Sequence, residues 1–425
     1  MERVILHSDI NACYANIELL HRPALREKAV VVGGDQAARH GIVLAKSELA
    51  KKYKIKTGMV LWQAKQACPN LIVLPPNYKL YLRFARMARE IYAEYTDQTE
   101  PFGLDESWLD VTGSASLFGD GMGIADEIRA RFKKELGITV SIGVSFNKIF
   151  AKLGSDMRKP DAVTAVTREG FKETVWSLPA SDLLYIGPAT ERKLSSIGVM
   201  TIGDVARCEP SVLRHLLGKP GEILSIFARG EDETPVARMC DGDGLIKSIG
   251  NSVTCPRDLV HAEEVRMVML ALAESVAERM RDGGFECRGA SISIRDKDLL
   301  SAERQCLLPR PTCLASELVD AGMRLFKNNY AWRKPIRSVG IRGFDLVQGR
   351  GAAQLSMLVD ERRRDKRIAI ENTVDEIRER WGHFSVQRAS ALQDARLAGI
   401  DAKHDNTIHP VGYFASGSGY SIGRL

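Results

Sequence analysis

Acidic side chains at the ends of two apolar segments are the residues of this chain best suited to chemistry. Asp9 follows the apolar run 4–6, and Asp105 and Glu106 open the segment 104–112, which reads LDESWLDVT. Carboxylates are hard ligands of the kind that Mg²⁺ prefers. Two such ions a few ångströms apart can activate an attacking oxygen and stabilise a leaving one in phosphoryl transfer. The alternative is an Asp-Glu pair that is simply solvated at a strand end.

Strand geometry decides whether these carboxylates can converge. Successive side chains on a regular strand point to opposite faces, so Asp105 and Glu106 would diverge if both lay within one strand. Convergence therefore requires the strand to start at residue 105 or to twist there. The sequence leaves both possibilities open.

The composition bounds the class of protein. A chain of 425 residues is too long for a single core and should split into several domains. Its hydrophobic content of 44% and charged content of 27% are ordinary for a globular protein. No run of eighteen apolar residues is present, so no membrane span is expected. The first nine residues do not resemble a signal peptide, and we therefore expect the protein to stay in the cytosol.

Cysteine, histidine and net charge narrow the possible sites. The eight cysteines form no Cys-x-x-Cys pair and the eight histidines no His-x-x-x-His pair, which argues against a zinc site and a disulfide framework. The net charge of +6 permits nucleic-acid binding without demanding it.

Hydrophobic periodicity predicts two differently organised halves. The first 170 residues alternate strands and helices, including a helix over 46–53, an amphipathic helix over 79–96 and a strand over 105–112. A segment of short helices is expected over 175–235. A β, α, β, β, α, β order follows over 246–345, in which Ala290, Ile292 and Ile294 alternate with polar residues as in a sheet backed by helices. Residues 347–425 lose this regularity, apart from one helix expected over 367–380, and end in a Gly/Ser-rich stretch expected to be mobile.

Three sequence blocks resemble the signature blocks of the Y-family DNA polymerases, the translesion enzymes, in the family's order and spacing. They read DINACY at 9–14, LDESWLDVT at 104–112, and SIGVSFNK at 141–148 continuing to SDMRKP at 155–160. The resemblance covers roughly residues 1–345. It implies that Asp9, Asp105 and Glu106 hold two Mg²⁺ ions and that the backbone carbonyl of Ile10 assists on the nucleotide side. Asn11 stands where many relatives carry a second aspartate.

The resemblance also implies ligands for the incoming nucleotide. Tyr14 matches the bulky residue that excludes a 2′-hydroxyl and so selects deoxynucleotides, although a helix aromatic packed in the core is the alternative. Lys159 fits a triphosphate ligand. Relatives usually place a Tyr and an Arg on the triphosphate from the fingers; the corresponding stretch here offers Glu48 and Lys51, and lysine cannot make arginine's two-pronged contact.

The fold implied by the resemblance is an α+β multidomain right-hand polymerase. Its expected parts are a ferredoxin-like palm (1–10 and 76–170), small fingers (11–75), a helical helix-hairpin-helix thumb (171–238), a βαββαβ little finger (245–346) and a C-terminal tail (347–425). Gly187 and Gly198 belong to the hairpin, where the usual first glycine is Tyr185; an ordinary helical turn is the alternative. Arg295, Arg337 and Arg342 are candidate DNA-phosphate contacts, which a solvated face explains nearly as well.

The tail carries a peptide similar to those that anchor bacterial partners on the sliding clamp. Gln354, Leu355, Met357 and Leu358 are its candidate contacts, and an extended peptide would place the apolar side chains in a surface pocket. Matches this short also arise by chance.

The leading hypothesis is a monomeric, low-fidelity, template-directed DNA polymerase that is active in translesion synthesis and DNA repair. Its activity should be abolished by Asp105→Ala or Glu106→Ala. Its expected partners are primer-template DNA, dNTPs and the sliding clamp (the β subunit). No association with a membrane is expected. Two other hypotheses are a non-catalytic scaffold, which a primer-extension assay separates, and a two-metal nuclease, which would degrade DNA without dNTPs.

Overall fold

The computed structural model describes residues 2–35, 39, 41–238, 246–348 and 361–401. The chain divides into two compact units, the first formed by Met1–Gly33 with Val43–Asp241 and the second by Gly34–Ile42 with Gly242–Leu425.

The first unit holds two sheets. Its strands are β1 Ile5–Ile10, β2 Val30–Gly33, β3 Val43–Lys46, β4 Ile72–Leu74, β5 Thr99–Pro101, β6 Glu106–Asp110, β7 Val140–Ser145 and β8 Val163–Val166. Its helices are α1 Cys13–His21, α2 Glu48–Lys52, α3 Leu61–Ala67, α4 Tyr78–Ala93, α5 Ala115–Phe118, α6 Gly121–Arg131, α7 Lys148–Met157, α8 Phe171–Val175, α9 Pro188–Ser195, α10 Ile202–Arg207, α11 Pro210–Leu217 and α12 Lys219–Arg229.

The larger sheet has the strand order β5-β6-β1-β7-β8, and β1 is antiparallel to both β6 and β7. Every residue of β1 and of β7 is buried, because helices cover the sheet. The amphipathic helix expected over 79–96 is confirmed as α4, which Asn77 caps by accepting a hydrogen bond from the backbone N–H of Leu80 at 3.2 Å. Tyr81 and Tyr92 on its apolar stripe are among the largest fully buried side chains.

A small sheet of order β3-β2-β4 and the short helices α2 and α3 form a separate cluster between α1 and α4 in the chain. The expected helix over 46–53 is shorter than predicted, because Lys46 belongs to β3 and Ser47 caps α2 through its hydroxyl. Helices α8 to α12 form the short-helix segment that the sequence predicts, and they pack around an apolar core that they share with α7 and β8.

The second unit contains a four-stranded antiparallel sheet. Its elements are β9 Ser248–Leu259, α13 Ala262–Asp282, β10 Phe285–Asp296, β11 Ser301–Thr312, α14 Ala315–Asn329, β12 Ile336–Gln348, α15 Glu361–Trp381 and α16 Ala395–Ala398, and its strand order is β11-β10-β12-β9. The predicted β, α, β, β, α, β order is confirmed. Ala290, Ile292 and Ile294 lie in the core with α13 and α14, as their alternation predicts.

The C-terminal helix α15 begins six residues earlier than the prediction of 367–380. It is held to the second unit by Arg281 of α13, whose guanidinium binds Asp375 at 2.7 Å and Glu371 at 2.5 Å. Leu397 of α16 is fully buried in the same core. The Gly/Ser-rich end expected to be mobile lies outside the described residues.

Candidate active site

The three acidic residues predicted from the sequence come together at one end of the larger sheet. Register places Asp9 of β1 directly opposite Glu106 of β6, so their Cα atoms are about 5 Å apart. The strand β6 begins at Glu106, and Asp105 precedes it. The backbone N–H of Ile10 donates to the carbonyl oxygen of Asp105 at 3.0 Å, which fixes Asp105 beside the end of β1. The divergence of a regular strand is avoided because Asp105 lies outside it.

The helix α7 lies directly on this sheet because residue 143 is glycine. A Cβ atom on Gly143 would lie 1.9 Å from the carbonyl oxygen of Ala151 and 2.5 Å from the backbone nitrogen of Ser155. The indole N–H of Trp108 donates to the carbonyl of Lys148 at 2.9 Å and anchors the start of the helix. The close approach brings the polar side chains of α7 to the carboxylates.

Each end of the acidic cluster is bonded to a lysine. The ammonium of Lys159 lies 2.7 Å from Oδ2 of Asp9 and 2.7 Å from Oδ1 of Asp156. Lys152 of α7 forms an ion pair with Glu106. The buried ring of His7 places Nε2 at 3.2 Å from Oε2 of Glu106 and Nδ1 at 2.9 Å from Oγ of Ser155. The two lysines supply positive charge where three carboxylates meet.

Burial and mutual repulsion perturb the carboxylates. Burial raises the pKa of Asp9 to about 7, although Lys159 opposes the shift. Burial, reinforced by the adjacent Glu106, raises the pKa of Asp105 to about 6. Burial also acts upward on Glu106, but the hydrogen bond with His7 and the charge of Lys152 outweigh it and hold the pKa of Glu106 below its usual range. At Asp9 and Asp105 the neighbouring positive charge therefore does not offset the effect of burial on the pKa.

The donor chemistry of the cluster fits a hard divalent cation, since three carboxylates and the nearby Ile10 carbonyl are all oxygen ligands. Within the described ranges, no three side chains of the Asp, Glu, His and Cys types are placed around a common point as a ready metal cage. Two of the carboxylates are turned to their lysine partners. Cation binding would exchange these lysine contacts for metal contacts.

Tyr14 lies on α1, near Asp105. Its ring stacks on that of Tyr81, with centroids 4.3 Å apart and planes 8° from parallel. Burial and the charge of Asp105 raise the pKa of Tyr14, so its hydroxyl stays protonated. In the smaller sheet's cluster, Lys51 and Glu48 are both exposed and pair with each other.

The predicted hairpin glycines flank α9. Gly187 is the residue before its first turn, and Gly198 adopts φ +78° just after it. Tyr185, at the position of the usual first glycine, has φ +71°, a left-handed conformation that glycine adopts without strain. Tyr185 thus adopts a backbone conformation open to glycine although it carries a side chain.

In the second unit, Arg295 and Arg342 lie on the sheet face opposite the helices. Arg295 pairs across the strands with Ser301, to which its Nε donates at 2.9 Å, and Arg342 forms an ion pair with Glu303 at 2.5 Å. Arg337 lies where the register of β12 shifts, so pairing does not place it with the other two. The structure thus groups two of the three predicted arginines.

Family models match most of both units. The impB/mucB/samB family model matches residues 8–156, and the model for the C-terminal domain of the same family matches residues 246–357. The DNA polymerase IV of Acetivibrio thermocellus is 50% identical over 397 residues, which are 93% of this chain and 99% of that protein. The chain belongs to the Y-family of DNA polymerases, in the DNA polymerase IV group. It is a DNA-directed DNA polymerase, of a family that performs translesion synthesis with low fidelity.

Further similarities agree with this assignment. The DNA polymerase IV of Pelotomaculum thermopropionicum is 37% identical to this polymerase over 94% of the chain and 99% of its own length. A solved Y-family DNA polymerase chimera shares its fold, with a TM-score of 0.72, 20% identity, and coverage of 81% of this chain and 100% of the chimera. The multidomain α+β polymerase fold expected from the sequence is confirmed.

Sequence reasoning missed three side chains of this polymerase's acidic cluster: His7, Lys152 and Ser155. His7 lies two residues before Asp9 on one strand, and residues i and i+2 share a strand face. Lys152 and Ser155 share the α7 face of Lys148 by helical spacing. These spacings along the strand and the helix are the sequence signals that could have identified the three side chains.

The clamp-type peptide, Gln354 to Leu358, lies outside the described residues of this polymerase. Among the helices that the structure describes, none is long and apolar enough to cross a membrane.

Proposed function

We propose that this polymerase extends a primer by nucleotidyl transfer at the cluster of Asp9, Asp105 and Glu106, holding two Mg²⁺ ions. The observation that carries the proposal is the register of β1 and β6, which puts Asp9 opposite Glu106 with Asp105 alongside. When bound, the ions would activate the primer 3′-hydroxyl and neutralise charge on the triphosphate. Asp9, Asp105 and the carbonyl of Ile10 would hold them, with Glu106 on the primer side.

The neighbouring cations have separate roles in this proposal. Lys159 is held at Asp9 by an ion pair and is only partly buried, so its flexible ammonium is free to turn to a triphosphate. Lys51, which is exposed and paired with Glu48, is a second triphosphate ligand from the fingers. The buried ring of His7 confines the Glu106 carboxylate on one side, with Nε2 at 3.2 Å from Oε2.

Tyr14 selects deoxynucleotides in this proposal. A flat aromatic ring beneath the sugar leaves no room for a 2′-hydroxyl. The ring lies near Asp105 and is supported from below by Tyr81, which places a rigid surface beside the proposed metal ligands. Low fidelity follows from the small fingers (11–75), whose three short strands and three short helices leave little protein to check the nascent base pair.

The remaining parts bind DNA and a partner in this proposal. Residues 1–10 and 76–170 form the palm, 171–238 the thumb and 245–346 the little finger. Gly187 offers its backbone N–H group to a DNA phosphate, and Gly198, whose own N–H donates to the carbonyl of Ser195 at 3.1 Å, completes the hairpin. Arg295, Arg337 and Arg342 add phosphate contacts, and Gln354, Leu355, Met357 and Leu358 of the tail bind the sliding clamp. The enzyme acts as a monomer in the bacterial cytoplasm.

Primer extension with purified variants tests the catalytic assignment. Asp105→Asn and Glu106→Gln keep the shape of each side chain and remove its charge, so extension of a primed template by dNTPs should be lost. Asp110→Asn is the matched control on the same strand, because an amide oxygen still accepts the hydrogen bonds from Thr112. Retained extension by folded Asp105→Asn protein would refute the assignment. Degradation of the primer without dNTPs would favour a nuclease.

A further inference from the structure

Glu18 is a buried carboxylate in α1 that takes no part in the proposed chemistry. It is only 1% exposed, and it forms an ion pair with Arg22 one turn later. Its Oε1 accepts a hydrogen bond from the hydroxyl of Tyr81 at 2.7 Å. Hydrogen bonds from a hydroxyl to a carboxylate are about twice as strong as neutral ones. The hydroxyl end of Tyr81 is therefore fixed in position.

The ring of Tyr81 is the surface on which Tyr14 rests. Tyr81 is fully buried, and its ring is nearly parallel to that of Tyr14 at a centroid distance of 4.3 Å. Tyr78 meets both rings edge-on, at 6.1 Å from Tyr14 and 6.0 Å from Tyr81. One face of the Tyr14 ring is thus covered, and a bound sugar must approach from the other face. Tyr14 and Glu18 are four residues apart on α1, so both face α4.

We propose that Glu18, acting through Tyr81, is a positioning residue that sets how strictly Tyr14 excludes ribonucleotides. The inference rests on the proposed role of Tyr14 as the sugar gate. Steric exclusion of a 2′-hydroxyl depends on placing the Tyr14 ring to within less than an ångström. A ring that can tilt or move toward α4 makes room for the additional oxygen atom. The hydrogen bond to Glu18 prevents the Tyr81 ring from shifting in its own plane. The Tyr81 ring in turn prevents the Tyr14 ring from moving away from a bound sugar.

Three substitutions isolate the hydrogen bond from the packing. Tyr81→Phe keeps the ring and removes the hydroxyl. Glu18→Met keeps the length of the side chain and removes the acceptor, whereas Glu18→Gln keeps an acceptor oxygen. Tyr78→Phe is the control, since its hydroxyl has no hydrogen-bond partner among the residues that the structure describes. Circular dichroism and thermal unfolding establish that each variant is folded.

The measurement is single-nucleotide insertion opposite a template dG, with dCTP and rCTP as the probes. The quantity compared is the ratio of kcat/KM for dCTP to that for rCTP. We expect this ratio to fall about tenfold in Tyr81→Phe and Glu18→Met, since small misplacements of a positioned group change rates by one to two orders of magnitude. Glu18→Gln and Tyr78→Phe should stay close to the wild-type ratio. The double variant Tyr81→Phe/Glu18→Met should lose no more than either single variant, because both break one bond.

Two outcomes would overturn the inference. A purely structural role for Glu18 and Tyr81 would lower insertion of both nucleotides equally and leave the ratio unchanged. Tyr14→Ala separates this failure from failure of the gate. If Tyr14→Ala raises rCTP insertion while Tyr81→Phe and Glu18→Met do not, the gate stands and the positioning role is wrong. If Tyr14→Ala leaves the ratio unchanged, the gate is wrong and the positioning role is wrong with it.

Discussion

Gly143 of β7 lies so close to α7 that a Cβ atom on it would fall 1.9 Å from the carbonyl oxygen of Ala151. Both groups are backbone or bound directly to it, so neither can rotate away. The contact sets the height of α7 above the sheet. It therefore also sets the distance from Lys152 and Ser155 to the acidic cluster.

Gly143→Ala should destabilise the first unit by roughly 3 kcal/mol, the cost of forcing a methyl group into a packed interface. It should also lower polymerase activity, because a displaced α7 would disturb the surroundings of Glu106, one of the proposed metal ligands. Urea unfolding and primer extension measure the two effects. Gly113→Ala is the control, since nothing lies within 4 Å of a Cβ atom there. Equal stability of the two variants would contradict the role given to Gly143.

Lys152→Met should increase the affinity of the apo protein for a divalent cation. The lysine forms an ion pair with Glu106 and competes with any cation that this carboxylate helps to bind. Removing one positive charge a few ångströms away should tighten Mn²⁺ binding about tenfold, as followed by electron paramagnetic resonance. Lys148→Met is the control on the same helix, because Lys148 binds Glu100 instead. Weaker Mn²⁺ binding by Lys152→Met would show that the lysine supports the site and does not compete for it.

Replacing Tyr185 tests whether its backbone conformation is strained. Tyr185 has φ +71°, which costs a residue with a Cβ atom about 1 kcal/mol relative to glycine. Both Tyr185→Gly and Tyr185→Ala remove the ring contact with Phe227, so that loss cancels between them. Thermal unfolding should therefore find Tyr185→Gly about 1 kcal/mol more stable than Tyr185→Ala. The opposite order would mean that the left-handed backbone is not strained.

The cap of α10 predicts a pH dependence of stability. The carboxylate of Asp204 accepts a hydrogen bond from the backbone N–H of Thr201 at 2.9 Å, and its hydrogen bonds to Thr201 lower its pKa from 3.8 to about 2. The folded state then stays ionised at a pH where the unfolded state takes up a proton. The contribution is complete above pH 4 and is lost as the pH falls toward 2.

Asp204→Ala should accordingly lower the free energy of unfolding by about 1 kcal/mol at pH 7, the usual cost of losing a cap. The difference from wild type should stay constant between pH 8 and 5 and shrink below pH 4. Urea unfolding at each pH measures it. A difference that grows as the pH falls would contradict the assigned direction of the pKa shift.

Arg281→Met should loosen α15 from the second unit. The guanidinium is largely buried and holds both Glu371 and Asp375, and burial raises the pKa of Asp375 to about 6 even with Arg281 beside it. Losing the arginine removes the counter-charge of the buried Asp375 and leaves Glu371 with only the more distant Arg388, at 3.6 Å, at a cost of about 3–5 kcal/mol. Tryptic cleavage within α15 should become faster.

The matched control for this experiment is Lys334→Met, which removes an exposed ion pair with Asp298 in the same unit. Exposed pairs contribute about 0–1 kcal/mol, so tryptic cleavage should be unchanged there. Equal protection of α15 in Arg281→Met and wild type would mean that apolar contacts, such as that of the buried Ile368, hold the helix by themselves.

The sequence correctly predicts features that depend on short-range periodicity. The apolar stripe of α4 and the alternation of Ala290, Ile292 and Ile294 each depend on neighbours within a few residues, and both predictions are confirmed. The predicted start of α15 is six residues late, because the first turns of the helix are strongly charged and show no apolar periodicity. The helix predicted over 46–53 wrongly includes Lys46, because the pairing of β3 with β2 is not visible in the local pattern.

The chain's own order of residues determined which side chains are available: three carboxylates, a tyrosine and two lysines in blocks typical of one enzyme family. Tertiary structure alone decided how they meet. Asp105 joins Asp9 because β6 begins one residue after it. Tyr14 meets Tyr81 because α1 and α4, whose first residues are 65 positions apart in the chain, pack together. Such pairings depend on backbone hydrogen bonds and close packing between distant segments, and residue types and spacing along the chain do not encode distances of that kind directly.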